Sequence, residues 1–497
     1  MKGRGCFWRE AAYWLLLGLM LAVSVLLLFD NLGAMRIQWA DESRHGVNAY
    51  EMMQRGDWVV STYQGEPDYW NLKPPLSMYG IMLGYKLFGY NAVGLRFYSA
   101  ASMLCTMGLL ALWLRRRVGR VASLVSQLFL MACFIVYNYH FARFGDADAL
   151  YVLIYTVAML CMLDSTQDMR YLYGSAVCFG LAFLAKSWHA AMIPVTCLAF
   201  VCVTGQIRRL RPRQYALLIL FGLLPIAPWA VARIRFDGLT FFKAMLSTDV
   251  VARATTVLEG HVGGWFYYGE FLLEDPACVL ALIACAGALV WRIACRKKPT
   301  PLAWGLALWI WVPILLFTLC VSKLKWYIFS CVPAFGAALG VICQHLARGL
   351  GQKGGGWRGG AARLTRLACV LICVGLLGYW TAGNLRYVSA VKPNDQYNQL
   401  MQSFFLRERD SGMHAYIQYE SENPYAEADY REWMQGEVLA AMLAGDVICK
   451  DGGTAAFVND PEPAYLIAHE VGRETELLRD MQSVYEWGPL TVYRNNH

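Results

Sequence analysis

The sequence predicts a polytopic α-helical membrane protein of about 11–13 transmembrane helices, with a small C-terminal extracytoplasmic α/β domain. Three observations predict it. Of 497 residues, 57% are hydrophobic and 16% charged, against about 25% charged in soluble domains. The apolar residues fall in blocks of about 17 to 22, the length that crosses ~30 Å of hydrocarbon. Hydropathy drops after Thr381 and leaves a polar tail.

The first block, Ala11 to Phe29, is too long for a signal-peptide core, and no small-x-small cleavage site follows it. A retained anchor is expected. Ten further spans follow, roughly 92–114, 121–138, 147–163, 172–185, 188–204, 214–234, 276–295, 302–321, 326–346 and 367–384. The fifth and sixth are parted only by Lys186-Ser187-Trp188-His189. Segment 76–89 is apolar enough for an additional re-entrant or interfacial helix.

Basic residues cluster at Arg115-Arg116-Arg117 with Arg120, at Arg208 to Arg213, at Arg296-Lys297-Lys298, and from Lys353 to Arg366. Eleven spans place all of these on the side of Lys2, Arg4 and Arg9, which the positive-inside rule makes cytoplasmic. Loops 30–91, 139–146 and 235–275 and the C-terminal segment then face outward. The expected organisation is a transmembrane domain over 1–385, with outer loop 30–91 carrying the active site, and an outer soluble domain over 386–497. The expected location is a membrane crossed many times, with loop 30–91 and the C-terminal domain on its outer face.

The net charge of +8 conceals an asymmetry: from 391 onward 8 Lys and Arg stand against 18 Asp and Glu. The basic excess therefore lies in the inner loops, where topology and anionic headgroups account for it. Membrane lipids are expected partners and nucleic acid is not. Most of the 16 cysteines lie within spans as small apolar residues, and no CxxC occurs, so neither a zinc site nor a disulfide framework is indicated. In the tail, 414–419, 464–468 and 484–494 read as strands, and 432–443 and 470–481 as helices.

Chemistry is expected where ionisable residues meet the apolar body. Loop 1 offers Asp41, Glu42, Arg44, His45, Glu51, Arg55, Asp57, Glu66, Asp68 and Lys73. Arg143, Asp146 and Asp148 lie around the start of the fourth span, Lys186 and His189 at the break after the fifth. Arg253, Glu259 and His261 lie in the long outer loop, with Lys323, Lys325 and Tyr327 at the tenth span. Acids and bases gathered on one membrane face suit an anionic lipid-linked substrate, with cations on phosphate and a carboxylate as base.

Asp41-Glu42-x-Arg44, Glu51-Met52, Gly56-Asp57-Trp58-Val59-Val60 and Lys73-Pro74-Pro75 are similar to the first outer loop of the bacterial protein O-mannosyltransferase and lipid A aminoarabinose transferase family. Further resemblances follow in register: Arg143-x-Gly145-x-x-Asp148-x-Leu150, Gly180 to Lys186, Pro228-Trp229, Gly260-His261 with Tyr267-Tyr268, and Lys323-Leu324-x-Trp326-Tyr327 before Pro333. The resemblance covers roughly residues 10–340.

It implies the C-type, multi-spanning glycosyltransferase architecture and an inverting transfer from a polyprenyl-phosphate sugar donor, in the bacterial inner membrane with the active site and the C-terminal domain on the periplasmic face. The acceptor would be a lipid A-type glycolipid, a surface glycan or a protein. It implies catalytic roles for Asp41, as base, and Asp148. Arg44, Lys73, Arg253, Lys323 and Tyr327 are implied on the lipid phosphate. Glu42, Arg143, Lys186 and His261 are further expected substrate contacts. The sequence departs from the family at Leu72, where an acid often precedes Lys-Pro-Pro, at Ser187-Trp188 and at Ser330. A divalent cation such as Mg2+ or Mn2+ would find oxygen ligands in Asp41, Glu42 and Asp148. No spacing demands one, and catalysis is expected to need none.

Plainer readings stand beside these. Asp41 and Asp146 would serve as helix N-caps, Glu42 as a helix N-terminal charge, and Lys73 as a snorkelling lysine. A transporter or flippase of lipid-linked sugars is the rival function, but it needs ionisable residues deep within spans and repeated halves.

Overall fold

The computed structural model describes residues 2–35, 37, 41–256, 262–350, 357–391, 403–408, 411–418, 435–445, 447–450, 453–469, 478, 481–487 and 490–495. Apolar runs form the long helices α1 (Lys2–Phe29), α4 (Ala92–Arg117), α14 (Pro276–Ala294), α15 (Pro301–Leu319), α16 (Val332–Leu350) and α17 (Trp357–Ala390). Capping sets several starts: Asn91 accepts from Gly94 N, Thr300 from Ala303 N, and Asp275 from Ala277 N and Cys278 N. Shorter helices stand between them: α5 (Arg120–Ala132), α6 (Asp148–Asp164), α7 (Tyr171–Lys186), α8 (Met192–Val203), α9 (Pro212–Leu223) and α10 (Ala227–Asp237). The last two meet at 57° around Pro225, as a proline inside a helical run dictates.

Among the described residues, seven helices are long and apolar enough to cross a membrane, and the α9/α10 pair makes an eighth. Each of the eleven expected segments is helical, but not each is a full-length span. α5 has 13 residues and α6 has 17. Helix ends at Ala132 because Cys133 turns extended (φ −70°, ψ 109°), and the expected span 121–138 gives way to a 3₁₀ turn and a polar loop. The stretch Tyr171–Val203 breaks at Ser187, whose φ of 55° no regular helix adopts. Asp148 at the start of α6 pairs with Lys186 at the end of α7, so these helices run antiparallel and the chain reverses again into α8.

The transmembrane body packs through small residues. Gly336 and Gly340, one turn apart on α16, face Ser126, Phe129 and Ala122 of α5, where a Cβ would collide with side chain and backbone. At one end of the body Arg115 and Arg120 both reach Glu10, Arg348 donates to Val118 O and Arg366 to Gly349 O. The basic clusters at 115–120 and around 348–366 thus gather together.

At the other end, loop 1 folds into α2 (Asp41–Arg55), a hairpin of β1 (Thr62–Tyr63) and β2 (Glu66–Pro67), and α3 (Leu76–Phe88). The hairpin turns at Gln64 and Gly65, both with positive φ, as a tight two-residue turn requires. α3 occupies the segment expected as re-entrant or interfacial. Nearby lie α11 (Thr240–Met245), a π-helical turn Leu246–Ala252, α12 (Arg253–Thr255) and α13 (Tyr267–Leu273).

The C-terminal domain is a five-stranded mixed sheet, ordered β4-β3-β5-β7-β6. Its strands are β3 (His414–Gln418), β4 (Cys449–Lys450), β5 (Ala464–His469), β6 (Gln482–Trp487) and β7 (Leu490–Arg494). It carries α18 (Gln435–Gly445) and α19 (Gly453–Val458). β3 pairs in parallel with β4 and β5, and β7 runs antiparallel to β5 and β6. The expected single strand 484–494 is this β6–β7 hairpin; β4 and α19 were not expected. Most of the expected helix 470–481 lies outside the described residues, as do 432–434.

α18 packs on α2, and one apolar cluster joins Val47, Met52, Met78 and Ile81 to Ile417, Val438, Leu439 and Ile467. A Cβ on Gly46 would stand 2.7 Å from the Leu439 side chain. α2, a mostly polar helix, is buried from Glu42 to Met52, and its apolar face, with Val47 and Met52, packs under the C-terminal domain.

Candidate active site

Asp41 opens α2, and Asp41 and Glu42 both lie in its first turn, where negative charge meets the exposed N–H groups. The two part at once. Asp41 faces a cavity of about 540 Å³ whose walls come from loop 1, the α6 and α7 ends, the 248–253 turn and 324–327. Of the expected site residues, Asp41, Arg44, Lys73, Asp148, Lys186, Arg253 and Tyr327 all line it.

Loop 1 builds one wall through a polar network. Arg44 donates from Nε and Nη2 to Asp68 at 2.7 and 2.8 Å. Its guanidinium lies 3.6 Å from the Tyr63 ring centroid and 5.1 Å from that of Trp70. Its Nη1 is buried without a hydrogen-bond partner. Asn48 donates to Asp68 at 2.9 Å and accepts from Asn71 at 2.7 Å, and Lys73 Nζ donates to Asn71 at 3.4 Å. Burial pushes the Asp68 carboxyl up, but the Arg44 hydrogen bonds and charge, with Asn48, hold it below its usual value. Lys73 Nζ stands 3.7 Å from Asp41 Oδ1.

The facing wall is deeper. Asp148 and Lys186, each 4% exposed, form an ion pair. Tyr151 donates to His189 O at 2.9 Å, and the His189 ring packs 4.8 Å from Tyr327. Arg253 Nη1 donates to the Tyr327 hydroxyl at 3.0 Å, and Arg253 lies 3.4 Å from Asp249. Beside Asp41, Asp146 Oδ2 lies 2.8 Å from His140 Nδ1, and Asp146 Oδ1 lies 3.5 Å from His45 Nδ1.

Electrostatics follow from these neighbours. Burial raises Asp41 and so does Asp146, but Lys73, His45 and His140 outweigh them and keep it below the usual carboxylate value. Asp146 is likewise raised by burial and brought well below its ordinary value by His140 and His45. Burial lowers His140, yet Asp146, by charge and hydrogen bond, lifts it to about 9. An ionised carboxylate at Asp41 thus stands beside the cations Lys73, Lys186 and Arg253. That arrangement can accept a proton at one point while holding a phosphate at another.

Three expected residues lie elsewhere. Glu42, expected on substrate, is fully buried and accepts from Arg96 at 2.7 and 3.0 Å and from Gly145 N at 2.7 Å. It locks α2 to α4 and to the loop before α6. Arg143 is buried and donates to Leu27 O at 2.8 Å and Asp30 O at 2.7 Å, closing the end of α1. Lys323 turns its Nζ to Cys320 O at 2.8 Å and does not line the cavity. His261 lies outside the described residues, as does Glu259.

His140 was not among the expected candidates. It sits in an irregular loop with no periodicity to read; the available signal was an imidazole six residues before an aspartate at the end of a span. Its ring packs 4.2 Å from Trp326, itself a cavity residue.

Residues 72–231 match the family model described as dolichyl-phosphate-mannose-protein mannosyltransferase. Among curated proteins the chain is similar to undecaprenyl phosphate-alpha-4-amino-4-deoxy-L-arabinose arabinosyl transferase 2 of Pseudomonas fluorescens, 26% identical over 65% of this chain and 59% of that protein. The undecaprenyl phosphate-alpha-4-amino-4-deoxy-L-arabinose arabinosyl transferase of Aeromonas hydrophila is 28% identical over 59% of this chain and 53% of its own. The chain therefore spans a little over half the length of these relatives. Among solved structures, ArnT from Cupriavidus metallidurans bound to undecaprenyl phosphate superposes with a TM-score of 0.70 at 18% identity, over 96% of this chain and 97% of that one. The archaeal oligosaccharyltransferase AglB from Archaeoglobus fulgidus reaches 0.56 at 11% identity, over 94% of this chain and 70% of that one. Both likenesses concern the fold.

Proposed function

We propose that this chain, a member of the family of multi-spanning glycosyltransferases that holds the mannosyltransferase-like and aminoarabinose transferase-like proteins, is an inverting glycosyltransferase moving a sugar from a polyprenyl-phosphate donor to an acceptor on the outer face of the membrane. The observation that carries this reading is the placement of Asp41 beside Lys73, Lys186, Arg253 and Tyr327 around one cavity.

The chemistry assigns each group a task. The acceptor nucleophile attacks the anomeric carbon opposite the phosphate, and its proton passes to the Asp41 carboxylate. The carbon–oxygen bond to the phosphate breaks, and the lipid phosphate leaves with added negative charge. Lys73, Arg253 and the Tyr327 hydroxyl stabilise that charge; fixed donors of this kind are typically worth about 10²-fold or more in rate each. Asp148 holds Lys186 at the cavity wall, and Asp68 does the same for Arg44.

The gathering of inner basic clusters at the opposite end of the body supports an outer, periplasmic cavity in the bacterial inner membrane. The relatives named as arabinosyl transferases favour an amino-sugar or related pentose on undecaprenyl phosphate. The acceptor is a hydroxyl-bearing glycolipid such as lipid A, a surface glycan or a protein. Reconstituting the chain with undecaprenyl-phosphate sugar and lipid A, and following transfer by mass spectrometry, tests the reading. Sugar appearing on the acceptor supports it. Donor movement across the bilayer without any transfer would favour a flippase.

A further inference from the structure

We propose that Cys133 and Cys278 are joined by a disulfide in the mature protein, a covalent clip at the cavity end of the transmembrane body. Their Sγ atoms lie 3.9 Å apart, both residues are fully buried, and they stand 145 positions apart in the chain.

Asp275 brings the two thiols together. Its Oδ1 caps α14 by accepting from Ala277 N at 2.9 Å and Cys278 N at 3.1 Å, and its Oδ2 accepts from Ile135 N at 3.1 Å. One carboxylate thus grips the backbone of Cys278 and the backbone two residues after Cys133. Rotation about the two Cα–Cβ bonds is the movement that takes sulfurs in contact to bonding distance. Asp275 also stands within metal-ligating reach of both thiols. Both its oxygens are engaged by backbone N–H groups, however, so the pair is a redox site and not a metal centre.

Position separates this pair from a second one. Cys343 and Cys373 are also in contact, with Sγ atoms 3.8 Å apart. Cys343 lies five residues, about 7.5 Å of helix, before Arg348, and Cys373 lies seven residues after Arg366, so that pair stands toward the basic clusters. Cys133 closes α5 at the end away from Arg120, seven residues before His140. Cys278 follows four residues after Glu274, which pairs with Lys325 at 2.9 Å and accepts from the Tyr139 hydroxyl at 3.1 Å where the polar loops meet solvent.

The choice of compartment rests on the transferase reading, in which the cavity end faces outward. Disulfides persist in the oxidising periplasm, whereas thiols toward the cytosol stay reduced. Two S–H bonds break and one S–S bond forms. The two electrons and two protons pass to a disulfide-carrying oxidoreductase of the outer compartment, which departs as its dithiol. Because both thiols are fully buried in the folded protein, this exchange precedes the closing of α14 against the end of α5. The clip then fixes the root of the loop that carries His140 and Asp146.

The test is the redox state of the full chain in bacterial cells with an oxidising periplasm. Cells are quenched in acid, the chain is denatured and alkylated without reductant, and its cysteine peptides are read by mass spectrometry. The Cys133 and Cys278 peptides are expected as one cross-linked species that reductant splits, with Cys343 and Cys373 alkylated. In cells lacking the periplasmic dithiol oxidase, Cys133 and Cys278 are expected to become alkylated as well. Full alkylation of both in oxidising cells overturns the inference. Free thiols in a chain that transfers sugar sink the clip and leave the transferase reading standing; a cross-linked pair in a chain that transfers nothing does the reverse.

Discussion

Glu42 and Arg96 meet in a bidentate ion pair of 2.7 and 3.0 Å with both side chains fully buried. The pair ties the first turn of α2 to α4, and so fixes where Asp41, one residue earlier, enters the cavity. Removing one partner of such a pair leaves an uncompensated buried charge, at a cost of about 3–5 kcal/mol. Glu42→Gln is therefore expected to lower the melting temperature of the purified protein markedly, with a further loss of transfer. The double variant Glu42→Gln/Arg96→Met is expected to recover part of the stability. A single variant as stable as wild type would remove the pair from this role.

Asp68 presents Arg44 to the cavity. Asp68→Asn keeps the shape but weakens the two charge-assisted bonds at 2.7 and 2.8 Å. The expected result is a loss of roughly tenfold in kcat/KM, corresponding to about 1.4 kcal/mol. Steady-state kinetics at varied donor concentration check it.

Lys73, Arg253 and Tyr327 are assigned to the lipid phosphate. Lys73→Ala and Arg253→Ala are each expected to cut kcat/KM for the donor about 10²-fold. Tyr327→Phe removes only the hydroxyl that accepts from Arg253 and is expected to do less. Isothermal titration with undecaprenyl phosphate separates binding from chemistry.

Lys186 and Asp148 are buried together. Lys186→Met leaves Asp148 unpaired and is expected to destabilise the protein. Lys186→Met/Asp148→Asn is expected to restore folding without restoring transfer, because the cation is gone from the cavity. Recovery of activity by the double variant would make the pair structural alone.

The fold was legible in outline because apolar block lengths and basic clusters are local signals. The helix from Asp41 and strands β3 and β5 follow from capping and alternation within a few residues, whereas the β1–β2 hairpin and the split of 484–494 into β6 and β7 did not show in the sequence. The separation of Asp41 from Glu42 was not legible. It depends on Arg96, 54 residues later, and neighbouring acids on a helix look alike in sequence. Arg143 and Lys323 were misplaced for a related reason: their partners are backbone carbonyls of Leu27, Asp30 and Cys320, which leave no mark in side-chain patterns. His140 escaped notice because its meaning comes only from Asp146 and Trp326 across an irregular loop. The depth of α2 beneath the outer domain was equally hidden, since a polar helix gives no sign that α18 will cover it.

The central claim is that Asp41 takes the acceptor proton. The direct measurement is the transfer rate of Asp41→Asn in proteoliposomes with saturating donor and acceptor, beside its melting temperature. A side chain of the same shape without basicity is expected to lose about 10²–10⁴-fold in kcat while the protein stays folded and binds undecaprenyl phosphate. Near-wild-type turnover by that folded variant would contradict the assignment.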